Sequence, residues 1–204
     1  MKVSYAITVC DELEEVKRLV DFLTANKHKE DEIVILFDQV KGTQEVITYL
    51  DSIKGEGQLV SDRFEGHFAN WKNLLTTNCT GDFIFQIDAD EYLPGKFIDL
   101  LHQILEANPE VDLYYVPRVN TVSGLTQEHI QKWGWEVKNG RVNWPDYQGR
   151  IYRNNPVIKW ENKVHEKITG FKQYTTFPAV DELALIHPKT IERQEKQNAY
   201  YDTL

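Results

Sequence analysis

The chain has 204 residues, a formal net charge of −9 and 41% hydrophobic residues. That is enough apolar sequence for one ordinary domain with a packed core, and it excludes a disordered or fibrous chain. The acidic balance excludes a nucleic-acid surface, which needs a basic patch, so an anionic ligand must be held locally by a metal ion or a few placed basic groups.

The N-terminus, MKVSYAITVCDE, lacks a long apolar segment, so no signal peptide is expected. No later window approaches the roughly 18 apolar residues of a membrane span. Cys10 and Cys79 sit in apolar context and are too few for a disulfide framework. They fit reduced thiols in a cytoplasmic protein.

Val3 to Val9 reads as a first strand. A helix over 11–25 follows. Asp11 with Glu14 three later resembles a capping box, and Leu13, Val16, Val20 and Leu23 share a face. Ile33 to Phe37 is a second buried strand ending at Asp38. Thr43 caps a helix carrying Val46, Ile47, Leu50 and Ile53. Gly55 and Gly57 turn the chain into a short strand at Leu59-Val60. Phe68 to Asn78 is a helix with Phe68, Trp71, Leu74 and Leu75 inward. The apolar run Phe83 to Ile87 then ends abruptly in Asp88, Asp90 and Glu91. Three carboxylates at the end of a buried strand repel one another, and desolvation adds to the cost, so the cluster calls for a cation. Hard oxygen ligands suit Mg²⁺ or Mn²⁺, usually shared with a phosphate.

This β-α-β-α-β-α-β order predicts an α/β fold with a mostly parallel sheet and helices on both faces. The loops after the first, second and fourth strands open on one carboxyl edge, where ligands of such sheets bind. Thr8 to Glu12, Asp38 and Asp88 to Glu91 therefore surround one crevice. Beyond residue 93, Pro94 starts a helix with Phe97, Leu100, Leu101, Ile104 and Leu105 as its apolar face. Leu113 to Val119 is a strand. Residues 121–148 read as a long loop, followed by short strands at Arg150–Arg153, Val157–Trp160 and Lys163–Ile168. This second half, about 94–190, reads as a small antiparallel extension of the first, within one domain. Residues 189–204 read as a charged helix that stops without a Gly or Pro exit signal, so a module cut from a longer protein is expected.

Here the residues resemble a known family. The first strand runs into an acidic helix start and the second ends in Asp38. WKNLLTTNCTGDFIFQIDADE then places Lys72-Asn73 upstream of Asp88-Ala89-Asp90, and KVHEKI comes later. The combination resembles a family 2 glycosyltransferase with the GT-A fold over roughly residues 3–190. Where such enzymes commonly carry Asn-Glu, Asp11-Glu12 stands here. The resemblance implies transfer of a sugar from a nucleoside-diphosphate sugar, a UDP-sugar first of all, to a glycan or other hydroxyl acceptor, with inversion and with Mn²⁺ or Mg²⁺.

It also implies roles. Asp90 holds the metal, Asp88 the metal or the donor ribose, and Ala89 lies between them. Asp38 contacts the nucleoside base or ribose, or caps a turn. Thr8, Cys10 and Glu12 line the base pocket, although Cys10 can face the core and Glu12 can be a first-turn helix charge. Lys72 and Asn73 bind donor or are solvated helix residues, and Asp62 is a further donor candidate. Glu91 faces solvent or orients a neighbour. An inverting transfer needs a base for the acceptor hydroxyl. Glu166 in Val164-His165-Glu166 fits that role, or else a salt bridge with a neighbouring lysine. Asp146 is the alternative base. His165 serves acceptor or phosphate. His187 serves the metal or the diphosphate, or is a buried histidine bonded to backbone. Arg150 and Arg153 in Gly149-Arg150-Ile151-Tyr152-Arg153 point to one face and hold diphosphate or acceptor. Trp133, Trp135 and Trp144 offer stacking faces for an acceptor sugar or fill core. A sugar nucleotidylyltransferase would carry a Gly-rich basic loop after the first strand, which is absent. A non-catalytic glycan- or nucleotide-binding module is the other alternative.

Overall fold

The computed structural model describes residues 1–201. The first half follows the alternation closely: β1 (Val3–Val9), α1 (Leu13–Asn26), β2 (Glu32–Asp38), α2 (Gln44–Ser52), β3 (Gln58–Asp62), α3 (Phe68–Thr77) and β4 (Phe83–Asp88). Then come α4 (Phe97–Ala107), β5 (Leu113–Ser123), α5 (Gln127–Trp133), β6 (Val137–Lys138), β7 (Arg141–Arg153), β8 (Lys159–Glu161), β9 (Lys167–Thr169), β10 (Tyr174–Thr176), β11 (Leu185–Thr190) and α6 (Ile191–Tyr201). Within the described residues, nine strands form one sheet whose main path is β10-β5-β7-β4-β1-β2-β3, with β11 beside β5 and β6 beside β7.

Strand alternation decides which face each side chain serves. Val3, Tyr5, Ile7, Ile33, Ile35, Phe83, Phe85 and Ile87 join α1, α2 and α4 in one core. Ala6, Val34, Leu36 and Ile84 face the other way, onto Ala69, Trp71 and Leu75 of α3 and Trp160 and Ile168 of the β8–β9 hairpin. β1 pairs in parallel with both β2 and β4, so the ends of these strands share one edge.

Several expectations are corrected. The Asp11–Glu14 capping box does not form: Glu12 is the N-cap residue and its side chain turns back onto the amides of Cys10 and Asp11. Pro94 precedes rather than starts α4, its carbonyl accepting from the Phe97 amide. The long loop over 121–148 is largely regular structure. β5 continues to Ser123, and β7 pairs antiparallel with it from Val142 to Tyr152. The extension is not purely antiparallel, because β10 and β11 run parallel to β5. Of KVHEKI, only Lys167 and Ile168 lie in a strand, at the start of β9, whereas residues 163–166 form the turn before it, with His165 at φ 52°. Arg150 and Arg153 do not share a face. Their odd spacing on β7 puts them on opposite sides of the sheet, and Arg153 sits over the Phe83 ring and reaches the carbonyls of Pro109 and Val111.

Candidate active site

β4 delivers the acidic turn. Asp88 ends the strand on the α3 face, and the Ala89 amide donates to the Thr8 carbonyl, which ties the turn to the end of β1. Asp88 is crowded with donors. Its Oδ2 accepts from Arg150 Nη2 at 2.7 Å, and its Oδ1 accepts from Gln86 Nε2 at 3.0 Å and Thr8 Oγ1 at 3.2 Å. Burial raises the Asp88 carboxyl, but Arg150 and Lys72 outweigh it and hold it well below the usual range. Asp90 turns the other way, its Oδ2 lying 3.2 Å from His187 Nε2 and 3.6 Å from Arg193 Nη2. Burial opposes its ionisation as well, yet the His187 hydrogen bond and charge bring it down to about 2.

Beneath the turn lies a buried polar floor. Glu91 is fully buried and accepts from Arg150 Nη2 at 2.6 Å and Arg118 Nη1 at 3.1 Å. Arg118 also grips Asp146 Oδ2 through Nε and Nη2, at 3.0 and 2.7 Å. Asp146 accepts from Asn120 Nδ2 at 2.8 Å and Gln148 Nε2 at 2.7 Å, and the Asn120 Oδ1 lies 2.8 Å from His187 Nδ1. One chain of hydrogen bonds thus runs Asp88–Arg150–Glu91–Arg118–Asp146–Asn120–His187–Asp90, leaving the acidic turn at one carboxylate and returning at the other. It is a structural position for Asp146. Burial raises its carboxyl, but Arg118 and Asn120 lower it below the usual range.

On the α3 side, Lys72 Nζ donates to Glu166 Oε1 at 2.6 Å, lies 4.0 Å from Asp88 Oδ1 and sits over the Trp160 ring. Lys72 is buried, so it is no solvated helix residue. Asn73 instead spends its amide on β8, exchanging two 2.9 Å hydrogen bonds with the Trp160 backbone. Asp38 is buried at the end of β2, its Oδ1 accepting from the amides of Val40 and Lys41. Asp62 is exposed and caps its own turn at Arg63. Burial and the neighbouring carboxylates push the Cys10 thiol up to about 12, which disfavours its thiolate. His165 is exposed, its ring 6.1 Å from that of Tyr201. Trp133 and Trp135 pair at 4.6 Å between ring centres, whereas Trp144 lies under Arg141.

The structure therefore brings Asp88, Asp90, His187, Arg150, Lys72, Glu166 and Thr8 together and leaves Arg153, Asn73 and Asp62 outside. Sequence reasoning missed Gln86, Arg118, Asn120 and Arg193. Gln86 had a signal, a polar residue inside a fully buried strand. Arg118 and Asn120 had a weaker one, their period-2 spacing on β5.

Asp90 and His187 suit a divalent cation. Two adjacent ligands of an octahedral ion with bonds of about 2.1 Å lie about 3 Å apart, close to the observed 3.2 Å. Asp88 fits less well, because both its oxygens already accept from other side chains. Among the described residues no three His, Cys, Asp or Glu side chains form a complete metal cluster.

A family model described as Glycosyl transferase family 2 matches residues 4–186. The chain belongs to glycosyltransferase family 2. Solved structures show the same GT-A fold. S. aureus TarS 1–349 in complex with UDP-GlcNAc matches with TM-score 0.63 and 15% identity, covering 93% of this chain and 59% of that one. Another structure of S. aureus TarS matches with TM-score 0.64 and 15% identity, over 92% of this chain and 37% of that one. This family 2 domain thus spans well under two thirds of the TarS chains. No curated protein matches it at the sequence level.

Proposed function

We propose that this domain transfers a sugar from a nucleoside-diphosphate sugar, most simply a UDP-sugar, to a hydroxyl acceptor, with inversion. One observation carries the reading. Two pairs of side chains far apart in sequence, Asp90 with His187 and Lys72 with Glu166, converge on either side of one acidic turn at the carboxyl edge of the sheet. The UDP-GlcNAc held by the similarly folded TarS 1–349 supports the donor class.

Asp90 and His187 would hold Mn²⁺ or Mg²⁺. Such an ion, when bound, stabilises the negative charge that gathers on the departing diphosphate. Asp88, locked in place by Arg150, Gln86 and Thr8, offers a fixed carboxylate for a donor hydroxyl. Glu166 takes the acceptor hydroxyl proton as that oxygen bonds to the anomeric carbon. The bond from that carbon to the diphosphate breaks, and its electron pair leaves with the diphosphate. Asp146 is not the base in this scheme, because its oxygens are committed to Arg118, Asn120 and Gln148.

Thermal shift tests the donor reading. UDP should raise the melting temperature only when Mn²⁺ or Mg²⁺ is present. Slow hydrolysis of UDP-GlcNAc that disappears in Asp90→Ala separates an enzyme from a binding module. Glu166→Gln should keep donor binding and lose transfer.

A further inference from the structure

His187 has a hydrogen-bond problem that its neighbours define. The Asn120 amide can be oriented without ambiguity: its second partner is the Asp146 carboxylate, which is held ionised and only accepts, so the Asn120 NH₂ group must face Asp146. The Asn120 carbonyl oxygen therefore faces His187 Nδ1 at 2.8 Å, and an acceptor there requires the proton on Nδ1. A neutral ring protonated at Nδ1 turns the lone pair of Nε2 toward Asp90 Oδ2, 3.2 Å away. A lone pair facing a carboxylate oxygen is repulsive unless a proton or a metal cation joins them. A doubly protonated ring closes the gap with the His187–Asp90 hydrogen bond described above, whereas a neutral ring held in its Nδ1–H form leaves it to a metal ion.

We infer that Asn120, oriented by Asp146 and Arg118, is a positioning residue that fixes His187 in its Nδ1–H form and so keeps Nε2 free to coordinate a divalent ion beside Asp90. The inference rests on the metal-dependent reading above, and it assigns work to three residues outside the sugar chemistry. Asp146, a base candidate from sequence, becomes the anchor of this chain. Arg118 supplies two hydrogen bonds to Asp146 Oδ2 and, through Glu91, connects it to the Arg150 that locks Asp88. Ligating histidines elsewhere show the same logic, in which the hydrogen bond at the far ring nitrogen sets ring orientation and basicity.

The test uses the whole chain and two variants, Asn120→Leu and the smaller Asn120→Ser. Near-ultraviolet circular dichroism checks that each is folded. Ring nitrogen shifts of His187 at mildly alkaline pH, without metal, should show the Nδ1–H form in the unsubstituted protein and the Nε2–H form in the variants. Manganese alone, titrated by calorimetry, should bind about 10- to 100-fold more weakly to the folded variants. An Nε2–H ring in the unsubstituted protein overturns the inference, as does unchanged manganese affinity in a folded variant. If the unsubstituted protein takes up no manganese, with or without UDP, the metal-dependent reading fails by itself. The ring measurement still decides whether Asn120 sets the histidine form.

Discussion

Arg150 lies 3% exposed between Asp88, Glu91 and Gln86. Replacing it with Met leaves a fully buried Glu91 facing a single guanidinium and strips Asp88 of its closest cation. Breaking one partner out of such a buried pair typically costs about 3–5 kcal/mol, so Arg150→Met should lower unfolding free energy in urea by that order. A loss below about 1 kcal/mol would mean that water reaches Glu91. The two turn carboxylates also set an acid limit. Asp90 is held at about 2, below its ordinary 3.8. A depressed carboxyl contributes stability that is complete above the unfolded value and lost as pH falls through the folded one. Urea midpoints should therefore fall between about pH 4 and pH 2, and Asp90→Asn should flatten that part of the curve. Glu12, raised by burial and the nearby Asp90, works with the opposite sign, so the comparison with the variant is the informative measurement. At this scale Asp88, Asp90, His187, Lys72 and Glu166 were legible because they stand in short patterns. Arg118 and Asn120 were not. Alternation tells which face of β5 they occupy, but only the register with β7 reveals that Arg118 faces Asp146.

The β8–β9 hairpin is the element that carries the candidate base. It packs Trp160 and Ile168 on α3, and the turn between its strands presents Glu166 to Lys72. Asn73 is the clasp, with hydrogen bonds to both the amide and the carbonyl of Trp160. Asn73→Ala should cost roughly 1–3 kcal/mol for two part-buried hydrogen bonds and loosen the Glu166 turn. The expected kinetic result is a lower kcat with nearly unchanged UDP binding, because Asn73 touches neither the acidic turn nor Asp90. Equal losses in UDP affinity and kcat would put Asn73 back in the donor pocket, as its place in the sequence pattern suggested. Elements of the first half were readable because each strand and helix buries its own periodic face. Residues 121–148 were not, because β5 and the start of β7 stabilise one another across the sheet and their polar, Trp-rich sequence gives little local signal. One local cue was there: Asn139-Gly140, both at positive φ, form the two-residue turn that pairs Lys138 with Arg141.

At the scale of the whole molecule, α6 ties together loops that the sequence could only place on one edge. Arg193 donates to Glu12 and Glu15 at the start of α1 and lies 3.6 Å from Asp90. Lys41, after β2, donates to the Tyr200 hydroxyl, and Tyr201 packs edge-on against Phe68 of α3. Ile191 is the buried residue of this helix, so exposed and part-buried polar contacts hold most of it, and surface pairs of that kind contribute up to about 1 kcal/mol each. Charge adds a second consequence. Arg193 occupies the same carboxylate oxygen of Asp90 that His187 approaches, and a guanidinium there competes with any ion placed between them. Two like charges a few ångströms apart near a surface repel by about 1 kcal/mol or more. Arg193→Ala should therefore speed amide hydrogen exchange across Ile191–Tyr201 and raise the affinity for manganese alone by a few-fold. The two readouts separate the contributions. Faster exchange with unchanged manganese binding would reduce Arg193 to a tether of the helix. Weaker manganese binding would mean that Arg193 orients Asp90 for the ion rather than competing with it, and that α6 belongs to the completed site instead of guarding its entrance.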